Sequence, residues 1–320
     1  MEDLVVITGG AGFIGSHLAE GFLKQGYSVR VVDDLSTGKL ANLSRIKDSV
    51  DFRKVDIRDL TTLIRAFEGA SVILHHAGIS SVPRCFEDQR ATYNVNVTGT
   101  QNVLAAAAAV DVKKIINASS CSVYGDSAAE LQTEGALPAP CSPYGFSKWL
   151  GEFYAIQFAK RTEIETISFR YFNVFGPRQS LDGDATAVIP QFIRRLADGI
   201  RPTIFGDGTQ TRDFTYVESV VEANLRALRA SMEPGVILNI ATGVRLSLNG
   251  LIEALNEIFG SQIAPIYKPT RTGDIKHSRA DIHLSENLLG DYNQALLRDS
   301  LVRTARWLLS ASGRTKKCED

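Results

Sequence analysis

Cysteine is scarce in this chain: 320 residues carry four, Cys85, Cys121, Cys141 and Cys318, with no CxxC spacing. That excludes a disulfide framework and a cysteine metal cluster, and it points to reduced thiols in a cytoplasmic protein. Surplus charge is also missing, since 35 Lys and Arg nearly balance 36 Asp and Glu for a formal charge of −1. The chain as a whole therefore exerts no pull on nucleic acid or an anionic membrane, and any anion site must be local. Long apolar runs are absent too. The longest, Val103 to Val110, is too short to span a bilayer, and no basic segment followed by an apolar stretch opens the chain. No repeat or low-complexity tract stands out beyond alanines 105–109.

Glycine is well placed rather than scarce. Val5, Val6 and Ile7 read as a buried strand that runs into Gly9, Gly12 and Gly15, and Ser16 to Gln25 reads as a helix. A helix starting after such a turn presents its N-terminus to a pyrophosphate, although a glycine-rich βα turn that binds nothing has the same pattern. Strand patterns near 4–8, 28–33, 51–55, 71–75 and 114–119 alternate with helical stretches, which implies an α/β fold with a parallel sheet covered on both faces. Helices are expected over 96–110, 143–160, 216–230 and 247–260. After about residue 173 glycine and proline interrupt short elements, which suggests a separate substrate lobe, and the segment from Ser312 to Asp320 reads as a loose charged tail.

The second strand ends at Asp33 and Asp34, about 20 residues beyond the last glycine of the turn. A carboxylate there suits an adenosine ribose diol and repels a 2′-phosphate, favouring NAD over NADP; a solvated turn acid is the alternative. Asp56 and Ile57 follow the third strand, where the sheet edge meets an adenine, and Ala77 and Gly78 are small residues that allow close backbone approach.

Tyr144 and Lys148 are four residues apart and share a helix face. An ammonium beside a phenol favours the phenolate; moving a tyrosine from about 10 toward 7 takes about 4 kcal/mol, to which a positive nicotinamide ring can add. The same spacing also arises by chance. Ser119 and Ser120 close the fifth strand at the carboxyl edge, where open α/β sheets bind ligands, unless they merely cap the strand.

The sequence resembles the extended short-chain dehydrogenases/reductases of the nucleotide-sugar epimerase and dehydratase family. The resemblance is carried in order by TGGAGFIGSHL (8–18), VVDDLSTG (31–38), HHAGISSVPR (75–84), Asn94 to Gly99, ASSCSVYGD (118–126), YGFSK (144–148), RYFNVFGPRQ (170–179), GDGTQTRDF (206–214) and GDIKHSRADI (273–282). It implies a Rossmann-type doubly wound parallel sheet over 1–173 that binds NAD. A smaller C-terminal α/β lobe over 174–320 would mainly hold a UDP-sugar, with some segments returning to the large domain. The catalytic residues it implies are Ser120, Tyr144 and Lys148. Its cofactor contacts fall on Gly9, Gly12, Phe13, Ile14, Asp33, Asp34, Ser36, Thr37, Gly38, Asp56, Ile57, His76, Ala77, Gly78, Asn96, Ser119, Tyr171 and Val174, besides Tyr144 and Lys148. Its substrate contacts fall on Ser80, Arg84, Cys121, Ser122, Asn173, Val188, Phe205, Arg212, Arg271, Asp274 and Ser278, besides Ser120 and Tyr144. Asn96 would brace the cofactor-side helix, and Arg212 and Arg271 would grip the diphosphate as guanidinium forks. A homodimer, built by pairing the alanine-rich helix and the Tyr144 helix with their copies, is implied by the same analogy.

Family members begin by oxidising a sugar carbon with tightly held NAD and differ in the fate of the resulting keto sugar. The resemblance places an Asp–Glu pair in the dehydratases where this chain has Cys121 and Ser122, which cannot act as a carboxylic acid and base. Epimerisation at C4 through a transient 4-keto sugar is therefore the favoured reaction. In similar enzymes the residue four after the Asp of RxGD lines the sugar pocket; here Asp274 is followed by Ser278, small enough for an acetamido group if it is not simply an exposed loop serine. Ser80 stands where the galactose enzymes carry lysine. The leading expectation is a UDP-N-acetylglucosamine 4-epimerase without metal. A UDP-glucose or UDP-glucuronic acid 4-epimerase, with Arg84 or Arg279 meeting a carboxylate, is the nearest rival, followed by a nucleotide-sugar reductase and a non-catalytic NAD-binding sensor.

Overall fold

Wholly buried Val5, Val6 and Ile7 make β1 (Leu4–Thr8) an interior strand, with alternate side chains feeding the two faces of the sheet. The structure, a computed structural model, describes residues 3–126, 129–180, 187–270, 276–292 and 295–313. The further strands are β2 (Ser28–Asp33), β3 (Val50–Lys54), β4 (Ala70–His75), β5 (Lys114–Ser120), β6 (Glu165–Tyr171), β7 (Thr203–Phe205), β8 (Thr211–Arg212), β9 (Val236–Ile240), β10 (Leu246–Ser247) and β11 (Ile266–Lys268). The helices are α1 (Phe13–Lys24), α2 (Leu60–Phe67), α3 (Val82–Glu87), α4 (Gln89–Tyr93), α5 (Gly99–Ala109), α6 (Pro143–Ala159), α7 (Val188–Ala197), α8 (Val217–Arg229), α9 (Leu248–Ile258), α10 (His283–Leu289) and α11 (Leu297–Ala311).

Seven parallel strands form the main sheet in the order β3, β2, β1, β4, β5, β6, β9. Chain direction along the sheet reverses between β1 and β4, so a crevice opens at their carboxyl ends, the usual ligand site of such sheets. One face packs Leu18 and Phe22 of α1 with Val220 and Ala223 of α8; the other packs Leu63 and Phe67 of α2 with Val103 and Ala107 of α5. Each Leu, Val or Phe side chain so taken from water contributes about 1.5–3 kcal/mol. A third core joins Phe192 and Ile193 of α7, Leu251 and Leu255 of α9, and Leu301 and Leu308 of α11.

The two halves of the sequence interlock. β9 extends the sheet from beside β6, and buried Lys114 on β5 donates from Nζ to Ala227 O (2.9 Å), Leu228 O (3.2 Å) and Ala230 O (2.6 Å), closing the C-terminus of α8. A cation there satisfies carbonyls that the helix cannot pair and sits at its negative end.

The continuous helix expected over 96–110 is broken into a π-helical turn, Asn94–Thr98, followed by α5. The side chain of Asn96 is drawn onto the neighbouring loop at Ile79, which opens the turn there. β6 and β9 were not among the strands expected from the sequence, and most of the charged tail, residues 314–320 with Cys318, lies outside the described residues.

Candidate active site

The turn after β1 is shaped by backbone contact. A Cβ on Gly15 would stand 2.2 Å from Gly9 O, and one on Gly9, at φ +69°, would stand 2.6 Å from Ala77 N. A Cβ on Gly12 would meet only Gly9 O, at 3.1 Å, so Gly12 borders a cradle that any side chain would fill. Phe13 and Ile14 open α1, which has neither a capping side chain nor an acidic residue in its first turn, leaving its positive end for an anion. Asp33 is buried at the end of β2; its Oδ2 accepts from Ala11 N (3.0 Å) and its Oδ1 from Leu35 N (2.8 Å). Burial pushes its carboxyl up, and the two backbone bonds pull it back. Gly38 is glycine because a Cβ would lie 2.7 Å from Asp33 Oδ1. Asp34 accepts from the Ser36 N–H and hydroxyl, and Thr37 is exposed beside them. Asp56 is held below the usual carboxylate range by Arg58, and buried Ile57 packs beneath Gly99. A free helix end above a glycine cradle, with a buried carboxylate at the end of the next strand, fits NAD.

Behind the cradle a directional hydrogen-bond chain fixes the loop after β4. Thr100 Oγ1 donates to Asn96 O (2.6 Å) and so accepts from His75 Nε2 (2.9 Å); His75 Nδ1 then accepts from Thr8 Oγ1 (2.8 Å). Burial pulls His75 down to about 3, so the ring is neutral. Asn96 Oδ1 accepts from Ile79 N (2.8 Å), and its Nδ2 donates to Ile79 O (3.0 Å) and Ser147 Oγ (3.0 Å), which itself donates to Tyr144 O (2.7 Å). Asn96 thus ties the Ala77 and Gly78 loop to the helix that carries Tyr144. His76 stacks on Tyr171 with centroids 5.7 Å apart, and its Nε2 lies 3.0 Å from the Tyr171 hydroxyl.

α6 starts where Pro143 fixes the first turn and Ser142 Oγ accepts from Gly145 N at 3.0 Å. It brings Tyr144 against Ser120, whose hydroxyl bonds the tyrosine, while Lys148 Nζ donates to Ala118 O at 2.7 Å. The expected lowering of Tyr144 by Lys148 does not arise from the chain's own groups. Burial pushes Tyr144 up to about 12 against the Ser120 hydrogen bond, and Lys148 is not among its charge partners. The reason is geometric: the ammonium is committed to β5, and its own burial pulls it down to about 8 against the charge of Glu152. Cys121 is pushed up by burial to about 11, which removes it as a nucleophile, and the Ser122 N–H donates to Ser120 Oγ at 3.1 Å.

On the facing side Arg212 lies in β8, paired with β10, its Nη1 donating to Thr211 O at 2.9 Å. The next residue, Asp213, is fully buried and accepts from Thr242 N (2.9 Å), Thr242 Oγ1 (2.6 Å), Gly243 N (3.0 Å) and Ala280 N (3.3 Å), tying three segments together. Asn173, at φ +35°, donates from Nδ2 to Asp213 O at 2.9 Å. Ser278 is not an exposed loop serine. It is 5% exposed, its N–H donates to Thr211 O (3.2 Å) beside Arg212, and its hydroxyl donates to Gln132 Oε1 (3.4 Å). Val174 and Val188 pack onto the third core, and Phe205 ends β7 with its carbonyl accepting from Gln210 Nε2 at 2.6 Å. Ser80 and Arg84 are exposed, on the loop after β4 and on α3. Arg271 and Asp274 lie outside the described residues.

Gln132, Ser147, Glu152 and Asp213 belong to this site although the sequence reading did not single them out. Glu152 had a signal, since it repeats the four-residue step from Tyr144 to Lys148 along one helix face. Among the described residues no group of three His, Cys, Asp or Glu side chains could hold a metal, and no helix is long and apolar enough to cross a membrane.

The NAD dependent epimerase/dehydratase family matches residues 5–241. The UDP-glucose 4-epimerase of Mycolicibacterium smegmatis is 36% identical over 312 residues, covering 96% of this chain and 99% of that protein. The UDP-glucose 4-epimerase of Thermotoga maritima, solved with UDP-glucose, superposes with a TM-score of 0.91 at 34% identity over 97% of this chain and 99% of its own. The UDP-N-acetylglucosamine 4-epimerase of Methanobrevibacter ruminantium, in complex with UDP-N-acetylmuramic acid, gives 0.90 at 33% identity over 97% and 100%. With the glycine cradle, the Ser120, Tyr144 and Lys148 cluster and this likeness over nearly its whole length, the chain belongs to the NAD dependent epimerase/dehydratase family and is an NAD-dependent isomerase of the extended short-chain dehydrogenase/reductase type.

Proposed function

We propose that this UDP-sugar 4-epimerase interconverts the gluco and galacto epimers of UDP-N-acetylhexosamines. The observation that carries the sugar choice is Ser278, a small side chain enclosed beside Arg212 and facing Gln132. A bulky residue there would occupy volume that a 2-acetamido group needs. Uronic acids are disfavoured because Arg84 and Arg279 are both exposed, and Arg279 Nε is engaged with Gly243 O at 2.7 Å.

In this reading Ser120 hydrogen-bonds the sugar O4 and Tyr144 removes its proton, returning it as the 4-keto sugar is reduced. Lys148 stabilises the phenolate, and Arg212 with Arg271 clamps the diphosphate while the sugar turns. Bound NAD supplies the hydride acceptor and donor for C4 together with a positive ring beside Tyr144. Cys121 and Ser122 offer no carboxylic acid and base pair, so the keto sugar is neither dehydrated nor decarboxylated. Residues 1–173 hold the cofactor and 174–320 mainly the substrate, apart from α8 and β9, and two copies pair through α5 and α6.

The test is proton NMR of the purified protein with UDP-N-acetylglucosamine and no added cofactor. Growth of the galacto epimer's anomeric signal is expected. Turnover of UDP-glucose or UDP-glucuronic acid alone would move the sugar assignment, and silence with every sugar after adding NAD would favour a binding protein.

A further inference from the structure

Three consecutive residues of β5 hold three residues on one face of α6. Ala118 O accepts from Lys148 Nζ (2.7 Å), Ser119 Oγ donates to Glu152 Oε1, and Ser120 bonds Tyr144. Tyr144 and Lys148 have roles in the proposed reaction, but Glu152 has none, and it is an acid only 1% exposed. An isolated carboxylate at such depth would take up a proton or unfold its surroundings. Here it is paired with Arg170, also 1% exposed, whose Nε donates to Oε1 (2.9 Å) and Nη2 to Oε2 (2.7 Å). Arg170 is in turn held by Glu134 O at 3.3 Å and lies 4.7 Å over the Tyr124 ring.

We propose that Glu152 is a positioning residue which, clamped by Arg170 and Ser119 one helical turn beyond Lys148, holds that ammonium in place between β5 and the cofactor cradle. The groups facing Lys148 from every packed element make Glu152 the decisive one. The end of β4 offers His75 and the loop after it His76, both pulled down to about 3 by burial and hence neutral. α3 offers the Cys85 thiol, the β4 loop offers Gly78, whose Cβ would lie 3.6 Å from Nζ, and α6 itself offers Tyr144 and Glu152. Arg170, on β6, is paired with the carboxylate and is not among the charges that shift Lys148. Among these groups Glu152 is the one standing anion, and it opposes the burial that would otherwise strip the proton from Lys148.

This inference rests on reading Tyr144 as the base and Lys148 as its partner. Removing Glu152 alone leaves Arg170 buried without a counter-charge, which by itself destabilises the fold. The informative protein is therefore Glu152→Gln/Arg170→Met, in which both charges go, with Glu152→Gln/Arg170→Gln as a second version should the apolar side chain not fold there. The readout is kcat against pH from 6 to 10 at saturating UDP-sugar, beside thermal unfolding and KM. A folded double variant is expected to keep KM within about twofold, to lose about tenfold or more in kcat at pH 8, and to show its alkaline limb about one pH unit lower, because Lys148 gives up its proton sooner. A folded double variant with the wild-type limb, whatever its kcat, would reduce Glu152 and Arg170 to a packing pair and overturn the proposal. Tyr144→Phe and Lys148→Met, run alongside, separate the two failures: near-normal rates there would sink the underlying assignment independently of Glu152.

Discussion

A Cβ on Gly145 would stand 2.4 Å from Ser122 O, so α6 touches the turn after β5 backbone to backbone, one residue from Tyr144 and two from Ser120. Gly145→Ala must push the helix away from that turn, because a carbonyl oxygen cannot yield as a side-chain tip does. The expected result is a loss of about 10–100-fold in kcat with a smaller change in KM for the UDP-sugar, since the reacting hydroxyls move apart while the diphosphate arginines do not. Steady-state kinetics beside a crystal structure of the variant would check it; unchanged kcat would mean that the Ser120 and Tyr144 geometry tolerates the shift.

Ser278→Tyr addresses the sugar. The larger ring is expected to cut kcat/KM for UDP-N-acetylglucosamine about 100-fold or more while UDP-glucose turnover is spared. Because Ser278 is buried against Gln132, overpacking is also expected to cost about 1–3 kcal/mol of stability, visible as a lower melting temperature. Equal losses for both sugars would remove the size argument.

His75 sets a pH dependence of stability. Its proton affinity is depressed on folding, from the ordinary 6.5 to about 3, so the unfolded chain binds a proton that the folded chain refuses. The stability it supports is complete above about pH 6.5 and drains away as pH falls toward 3, at about 1.4 kcal/mol per pH unit on the steep part. His17 and His76 act in the same direction, with values of about 4 and about 3. His75→Gln, whose amide can still meet Thr8 and Thr100, is expected to flatten the curve of unfolding free energy between pH 6 and 4.5 by about one proton. Denaturant melts across that range measure it, and an identical slope in both proteins would contradict the neutral, buried ring.

The exposed face of α6 supplies the oligomer test. Phe146 is 38% exposed and Phe153 49%, large apolar surfaces on the helix proposed to meet its copy. Sedimentation of the wild type is expected to give a dimer, and Phe153→Glu a monomer. A wild-type monomer would dismiss the pairing.

Local patterns in the sequence were legible, and long-range pairings were not. β1, β2, β4 and β5 were readable because short runs rich in Val, Ile and Leu end at small or polar residues. β6 was not, because Thr166, Ser168 and Arg170 alternate through it, and a buried arginine makes sense only opposite Glu152, a partner 18 positions earlier and on another element. β9 is a five-residue strand whose signal is weaker than that of the glycine and proline around it. Tyr144, Lys148 and Ser120 were legible as motif residues, yet the commitment of Lys148 to Ala118 O and the burial that raises the proton affinity of Tyr144 depend on strand and helix register. Whether Ser278 was enclosed or exposed was likewise decided by Gln132, a residue with no motif to mark it.

The placement of β9 beside β6 has a consequence for how the chain is made. While a ribosome is still adding the residues between Tyr171 and Val236, the sheet ends in β6, a strand whose outer N–H and C=O groups have nothing to pair with. During that interval, several seconds at ordinary elongation rates, the nascent first half is an open template for another strand. The same half keeps the Lys114 ammonium without the helix end that will receive it. A fragment ending near residue 173 is thus expected to be captured by chaperones or to aggregate, and to become soluble when the remainder of the chain is supplied in trans.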